Sequence, residues 1–161
     1  MKDKSDVWIV GYTKPNFEKK VADNFCKQGI ESIAPTQKQL KQWSDRKKWV
    51  DVVLFKSYIF VRKLEFLKMK GKVSFPDGFM KWISINRKPS IVTAEEMQTI
   101  QRICLSENKI EIEAGEIAEG KTIEIKEGIL KGIKGKIIKN KSNKHLTLWI
   151  EALNCTMKIK L

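Results

Sequence analysis

The apolar positions of this chain follow two different rhythms, and the rhythm changes late in the sequence. Val7 to Tyr12 (VWIVGY) is a short β-branched and aromatic run, which predicts a buried strand. Thr13 to Pro15 break it, and from Asn16 the period lengthens. Phe17, Val21, Phe25 and Cys26 recur at helical spacing, with Glu18, Lys19, Lys20, Asp23 and Lys27 on the other faces. Gly29 supplies a C-terminal stop. Glu31 to Pro35 predicts a second strand, and a polar stretch with Trp43, Arg46, Lys47, Lys48 and Trp49 follows it. Val50 to Val61 (VDVVLFKSYIFV) reads as one strand, the strongest such signal in the chain. Leu64 to Gly71 predicts a short helix and Phe79 to Ile85 a further strand. Thr93 then opens a helix through Met97, Ile100 and Ile103 to Leu105, with Thr93 and Glu96 spaced as a capping box.

That order of elements predicts an α+β sandwich with helices on a small, largely antiparallel sheet. From Ser106 to Gly115 the periodicity lapses into a polar connector. From Gly120 onward the text alternates with period two: TIEIKEG, LKGIKGKII, LTLWIEAL and TMKIKL, with turns expected at Gly128, Gly132, Gly135 and Asn140 to Asn143. Four or five short strands of this kind are expected to close into a small barrel, because closure removes exposed edges. A helical hairpin is the competing state, but each glycine and β-branched residue penalises helix by a few tenths to about 1 kcal/mol.

Composition narrows the picture. The 161 residues suffice for one ordinary domain or two small ones, and 42% hydrophobic against 32% charged residues predicts a folded chain. The opening MKDKSDVWIVGY has no apolar run of signal-peptide length, and no stretch is long enough to span a bilayer. The expected location is therefore the cytoplasm, without a membrane partner. Cys26, Cys104 and Cys155 are odd in number and far apart, which suits idle thiols better than disulfides. His145 is the only histidine, so neither a zinc site nor a Ser-His or Cys-His pair has support. No GxxxxGK[ST] loop occurs either. Neither catalysis, a metal nor a cofactor is expected. The net charge of +13 favours nucleic acid, an acidic protein or an anionic surface, although a Lys-rich composition also simply keeps a chain soluble.

Two stretches resemble a known family. Gly120 to Gly135 (GKTIEIKEGILKGIKG) resembles a KOW motif. Trp8 to Tyr12, Glu18, Val21, Ala34-Pro35, Leu54-Phe55 and Tyr58-Ile59-Phe60-Val61 follow the order and spacing of the NusG N-terminal domain. The resemblance implies a bacterial NusG-type transcription elongation factor. Its polymerase-binding domain would occupy residues 1–105, a linker 106–115 and an SH3-like KOW barrel 116–161. The Lys-rich sequence and the version LFKSYIF are most similar to specialised paralogues such as RfaH and the UpxY antiterminators of polysaccharide operons. Lys56-Ser57 here replaces the family's usual Pro-Gly.

What the family does then implies sites. Tyr12, Pro35, Phe55, Tyr58 and Trp82 are the positions of an apolar pocket for the clamp helices of the largest RNA polymerase subunit, although aromatic strand residues also serve as plain core. Lys14, Asn24, Lys27 and Gln28 align with contacts to the non-template DNA strand, whereas Asp77 stands where the relative is basic. Met69-Lys70-Gly71 replaces the relative's second, hydroxyl-bearing anchor. Arg46, Lys47 and Lys48, interleaved with Trp43 and Trp49, suit upstream duplex DNA or nascent RNA, with the tryptophans expected to pack a hairpin tip. Gly128, Ile129, Leu130, Gly132, Ile133 and Gly135 form the KOW loop, facing a ribosomal protein or Rho. The expected protein is a monomer. Housekeeping NusG and, from another class, a ribosome-associated KOW RNA-binding protein fit the same residues.

Overall fold

The computed structural model describes residues 6–114, 121–124, 126, 131–132, 134–140, 143–153 and 155–160. These divide into two compact units. One takes the described residues of Met1–Pro35 and Phe55–Gln98, the other those of Thr36–Leu54 and Thr99–Leu161.

The first unit is built around β1 (Val7–Thr13), the centre of a five-stranded sheet. On one side β1 pairs antiparallel with β5 (Tyr58–Arg62), which pairs in turn with β2 (Ser32–Ile33). On the other side, β6 (Phe79–Trp82) and β9 (Ile91–Thr93) pair with opposite ends of β1. The period-two alternation of β1 therefore decides what each sheet face carries. Ile9 and Gly11 share a face with their cross-strand partners Val61 and Ile59. This face is covered by α1 (Glu18–Lys27), whose Val21, Ala22 and Phe25 complete a buried cluster with Ile30. Burying each of the larger side chains, Val21, Phe25 and Ile30, stabilises by about 1.5–3 kcal/mol. Gly11 is required there: a Cβ would lie 2.9 Å from the ring of Phe79 and 3.0 Å from Ile59. On the opposite face Trp8, Val10, Phe60 and Val92 are buried as well.

The helix boundaries follow local chemistry. Gly29 takes φ +80°, and the Gly29 and Ile30 amides donate to the carbonyls of Cys26 and Phe25, a Schellman ending sealed by the Ile30–Phe25 apolar contact. A short helix α2 (Lys63–Lys68) follows β5. At α3 (Ala94–Cys104) the expected capping box is present. The Thr93 amide donates to Glu96 Oε2 at 2.8 Å and the Glu96 amide to Thr93 Oγ1 at 3.2 Å.

Val50–Val61 is not one strand. It is the end of β4 (Lys47–Val53), a turn, and β5, and the two strands belong to different sheets. The alternation breaks because Leu54 and Phe55 are neighbours and both are buried. Phe55 to Tyr58 then forms a β-turn closed by the Tyr58 amide on the Phe55 carbonyl at 3.1 Å, with Ser57 at φ +65°. A positive φ at the third turn position is a type II feature that favours glycine there and proline before it. β4 pairs instead with β3 (Thr36–Gln42), a strand hidden in the polar stretch. A small hairpin, β7 (Ser84–Ile85) with β8 (Lys88–Pro89), turns through Asn86 and Arg87, both at positive φ.

The second unit holds the β3–β4 ribbon and an antiparallel sheet of β10 (Ile110–Ala114), β14 (Cys155–Lys160), β13 (Asn143–Ile150), β12 (Lys134–Asn140) and β11 (Lys121–Glu124), in that order. β10 lies within the stretch that reads as a connector, and its alternating Ile110, Glu111, Ile112 and Glu113 pair with β14. Gly135 stands in β12 opposite Ile123 rather than in a turn. Gly132 is at φ +83°, while Gly128, Ile129, Leu130 and Ile133 lie outside the described residues.

Two measurements check this packing. L-residues at φ near +60° are strained by about 1–2 kcal/mol, an amount partly offset by glycine's larger unfolded-state entropy. Ser57→Gly is therefore expected to leave the denaturation midpoint unchanged or raise stability by up to about 1 kcal/mol, and β-branched Ser57→Val to lower it by about 1–2 kcal/mol. Burial pushes the Cys104 and Cys155 thiols up to about 11, whereas Cys26 is exposed. Mass spectrometry after brief alkylation near neutral pH should find the label on Cys26 first. Cys104 and Cys155 should react about 100-fold more slowly than in denaturant, because their thiolate fraction is cut about 100-fold relative to a thiol of ordinary pKa.

Candidate functional site

Ser57 is held from both sides. Its amide donates to Glu18 Oε1 at 2.6 Å, and its carbonyl accepts from the Thr13 amide at 2.8 Å. Glu18 is a buried carboxylate at the start of α1, so one residue ties the helix, β1 and the β4–β5 turn together. The turn places Tyr58 directly opposite Tyr12 in the β1–β5 ladder. The two rings meet edge to face with centroids 5.6 Å apart, and both are half-buried. Phe55 lies at the start of the same turn and packs edge-on against Phe60 at 5.6 Å; only 2% of it is exposed. On β6, exposed Lys81 is in register with Tyr12 and so shares its face.

Of the five positions assigned to an aromatic pocket, the fold therefore brings Tyr12 and Tyr58 together, with Phe55 as neighbouring core. Pro35 is buried just beyond β2. Trp82 is on the other face. It pairs with Gly11 and joins Phe25, Phe66, Phe75 and Phe79 on the α1 side, its ring 4.8 Å from Phe79 and 5.0 Å from Phe66. Sequence spacing identifies these aromatics as strand residues. The face of each depends on register, which spacing does not reveal.

The four positions aligned with a DNA contact lie on and beside α1. Lys14, Asn24 and Lys27 are exposed. Gln28 is engaged: its Nε2 donates to the Ser74 carbonyl at 2.8 Å and to Asn24 Oδ1 at 3.1 Å, and its Oε1 accepts from the Ser74 amide at 2.9 Å. Its amide thus clamps the loop before β6 to the helix end, which leaves the two lysines as the charged part of this surface. Asp77 pairs with Lys20 at 3.7 Å, both of them exposed.

Arg46, Lys47 and Lys48 stand at the tip of the β3–β4 ribbon, where every residue from Lys41 to Trp49 is exposed. The tryptophans do not pack the tip: Trp43 is 54% and Trp49 64% exposed. Leu40 lies directly across from Trp49 and is 49% exposed, and no apolar periodicity around it marks it out. At its base the ribbon is fixed by buried Gln37, whose Nε2 donates to the carbonyls of Ser106 and Asn108, both at 2.8 Å.

Among the described residues no cluster of His, Cys, Asp and Glu is placed to hold a metal, and no helix is long and apolar enough to cross a membrane.

A family profile bears out the resemblance of the N-terminal stretch to the NusG family. The profile of the family described as "Transcription termination factor nusG" matches residues 6–101. A solved structure of Thermotoga maritima NusG, determined for its domain interaction, is 21% identical; the match covers 96% of this chain and 92% of that one, with a TM-score of 0.47. No curated protein matches the chain. With the family profile spanning more than half of its length, the chain belongs to the NusG family of transcription factors, proteins that bind RNA polymerase.

Proposed function

We propose that this protein is a specialised elongation and antitermination factor of the RfaH and UpxY kind, which binds the clamp helices of RNA polymerase through the surface around Tyr12 and Tyr58. The half-buried Tyr12–Tyr58 pair, on a face whose remaining aromatics are buried, is the observation that carries this reading. Two adjacent aromatic rings offer large apolar area at low entropic cost, each with a hydroxyl able to meet a polar rim. In this reading Phe55, at the start of the same turn, Pro35 and Trp82 are the further residues of the pocket.

The domain organisation in this proposal is a polymerase-binding module to about residue 105 and a C-terminal module of KOW type. The five-strand order β10-β14-β13-β12-β11 suits closure into an SH3-like barrel. That module recruits a ribosomal protein or Rho. Lys14 and Lys27 lie toward the non-template DNA strand, and Arg46, Lys47 and Lys48 lie on nucleic-acid phosphates. The factor acts by binding the closed-clamp polymerase better than the open one. Any ligand shifts an equilibrium only by its differential affinity for the two states. The Lys56-Ser57 turn in place of Pro-Gly, together with the Lys-rich surface, supports the specialised over the housekeeping member. A gene position at the head of a long surface-polysaccharide operon, alongside a second family copy, is the corresponding genetic expectation.

Tyr12→Ala and Tyr58→Ala are expected to weaken binding to purified core polymerase by about 30-fold or more, as loss of an interface hot spot does, and to abolish the shortening of pauses in an elongation assay, with circular dichroism unchanged. Phe55→Ala is unsuitable for this purpose, since emptying so buried a site costs about 3–5 kcal/mol of stability. Wild-type protein that does not associate with polymerase at low ionic strength sinks the reading. Nucleic-acid affinity, in turn, is expected to fall steeply with salt. Lys47→Ala and Lys48→Ala should each reduce the slope of log K against log salt by about 1; unchanged slopes remove both residues from phosphate contact.

A further inference from the structure

The β3–β4 ribbon has a feature that phosphate contact alone does not use. Trp49, at 64% exposed, and Leu40, at 49%, form a cross-strand apolar pair that contributes little to any core. Pairs two positions away along a ribbon share a face. The Leu40–Trp49 pair is therefore flanked on its own face by Gln42–Lys47 toward the tip and by Lys38–Asp51 toward the base. On β4 the indole of Trp49 thus lies between Lys47 and Asp51, with Lys38 diagonal to it on β3. Trp43 stands in the connecting turn beside Arg46, whose carbonyl accepts from the Trp43 amide at 2.8 Å. Next to Trp49 opens a hollow of about 940 Å³, reaching Leu105, itself 75% exposed. That volume is at the upper end of the roughly 300–1,000 Å³ of ligand clefts.

We propose that this ribbon is a binding site for single-stranded RNA, in which Trp49 stacks an unpaired base while Lys47 and Lys38 meet the flanking phosphates, with Trp43 and Arg46 repeating the arrangement at the tip. Alternating aromatic platforms and cations are what sequence-tolerant single-strand binding requires, since every base has a π face and every linkage a charge. A duplex keeps its bases stacked on one another and offers nothing for the indoles. A protein partner would have to be acidic, because Lys41, Arg46, Lys47 and Lys48 are offset only by Asp45 between Lys41 and Trp49, and it would leave the alternation of aromatic and cation unexplained. The carboxylates also separate RNA from DNA. Asp45 and Asp51 repel phosphate but accept a hydrogen bond from a 2′-hydroxyl, which only RNA supplies. This inference deepens the proposed phosphate contacts of the ribbon and is independent of the Tyr12–Tyr58 surface.

The test is fluorescence anisotropy with the full chain and labelled oligonucleotides of about twelve nucleotides, within the site sizes of such grooves: single-stranded RNA, DNA of the same sequence, and an RNA duplex. Single-stranded RNA is expected to bind tightest. Trp49→Ala should weaken it by about 5- to 100-fold and Trp49→Phe by much less, with Trp43→Ala intermediate. Because these side chains are exposed, the variants keep the wild-type circular dichroism. Unchanged RNA affinity in both alanine variants overturns stacking, even if Lys47→Ala and Lys48→Ala still reduce the salt slope. Equal or tighter binding of DNA or duplex overturns the assignment to single-stranded RNA. Loss of polymerase binding without loss of RNA binding in Trp49→Ala makes the ribbon a protein surface instead. Tyr12→Ala should retain full RNA affinity, so failure of the polymerase reading and failure of this one are separable.

Discussion

The amide of Ser57 is the point at which the first unit of this chain is held together. A carboxylate buried at the first position of α1 accepts from it at 2.6 Å, and the carbonyl of the same residue accepts from β1. A buried carboxylate is tolerable only when hydrogen-bonded, and a buried backbone amide only when paired, so each group removes the other's desolvation penalty. The consequence is positional. With the turn pinned to both α1 and β1, β5 can enter the sheet in one register only, and that register sets Tyr58 against Tyr12. Slipping the strand by one residue would send Tyr58 to the helix side and bring Ile59 out.

Elements whose signal is local were legible from sequence. The period of α1, its glycine stop and the Thr93–Glu96 box need only a few neighbouring residues to be recognised, and all appear in the structure. Elements whose boundaries depend on tertiary packing were not legible. Val50–Val61 carries no glycine or proline at the β4–β5 turn: Leu54 and Phe55 are both buried as the turn begins, and its centre is Lys-Ser where the family's Pro-Gly would have marked it. β3 escaped notice for the opposite reason. In TQKQLKQ only Gln37 is buried, so a strand that makes its full ladder carries no hydrophobic alternation. The Asn86–Arg87 turn lacked the glycine that usually announces its type.

The candidate sites divide along the same line. That Tyr12, Tyr58 and Trp82 are strand aromatics was visible; that the first two share a face and the third does not required the β1–β5 and β1–β6 registers. Gln28 is polar and sits at a helix end, which from sequence alone fits a ligand contact. Its two-way pairing with Ser74, 46 residues away, is a tertiary fact. The ribbon tip is the reverse case. Large aromatics usually find cover, so its tryptophans are expected to pack, whereas a two-stranded ribbon has no second layer to offer them.

An exposed aromatic–basic ribbon and a half-buried aromatic pair obey different physics, and this decides how they can work together. Apolar capture of a protein surface depends on area and fit, and salt hardly alters it. Phosphate contact is dominated by counterion release and collapses as salt rises. At physiological ionic strength a few lysines and one or two stacked bases give weak binding on their own. Once the protein is docked on a polymerase, however, the second contact becomes intramolecular, and its effective concentration for a short tether is in the millimolar range. A stacking site that binds free RNA only weakly is then strong enough to register a transcript within its reach. The net charge of +13 speeds the encounter without choosing the partner. Weakness in the ribbon is thus compatible with function, since a nucleic-acid contact tight enough to act alone would hold the protein on bulk RNA and away from the machine it serves.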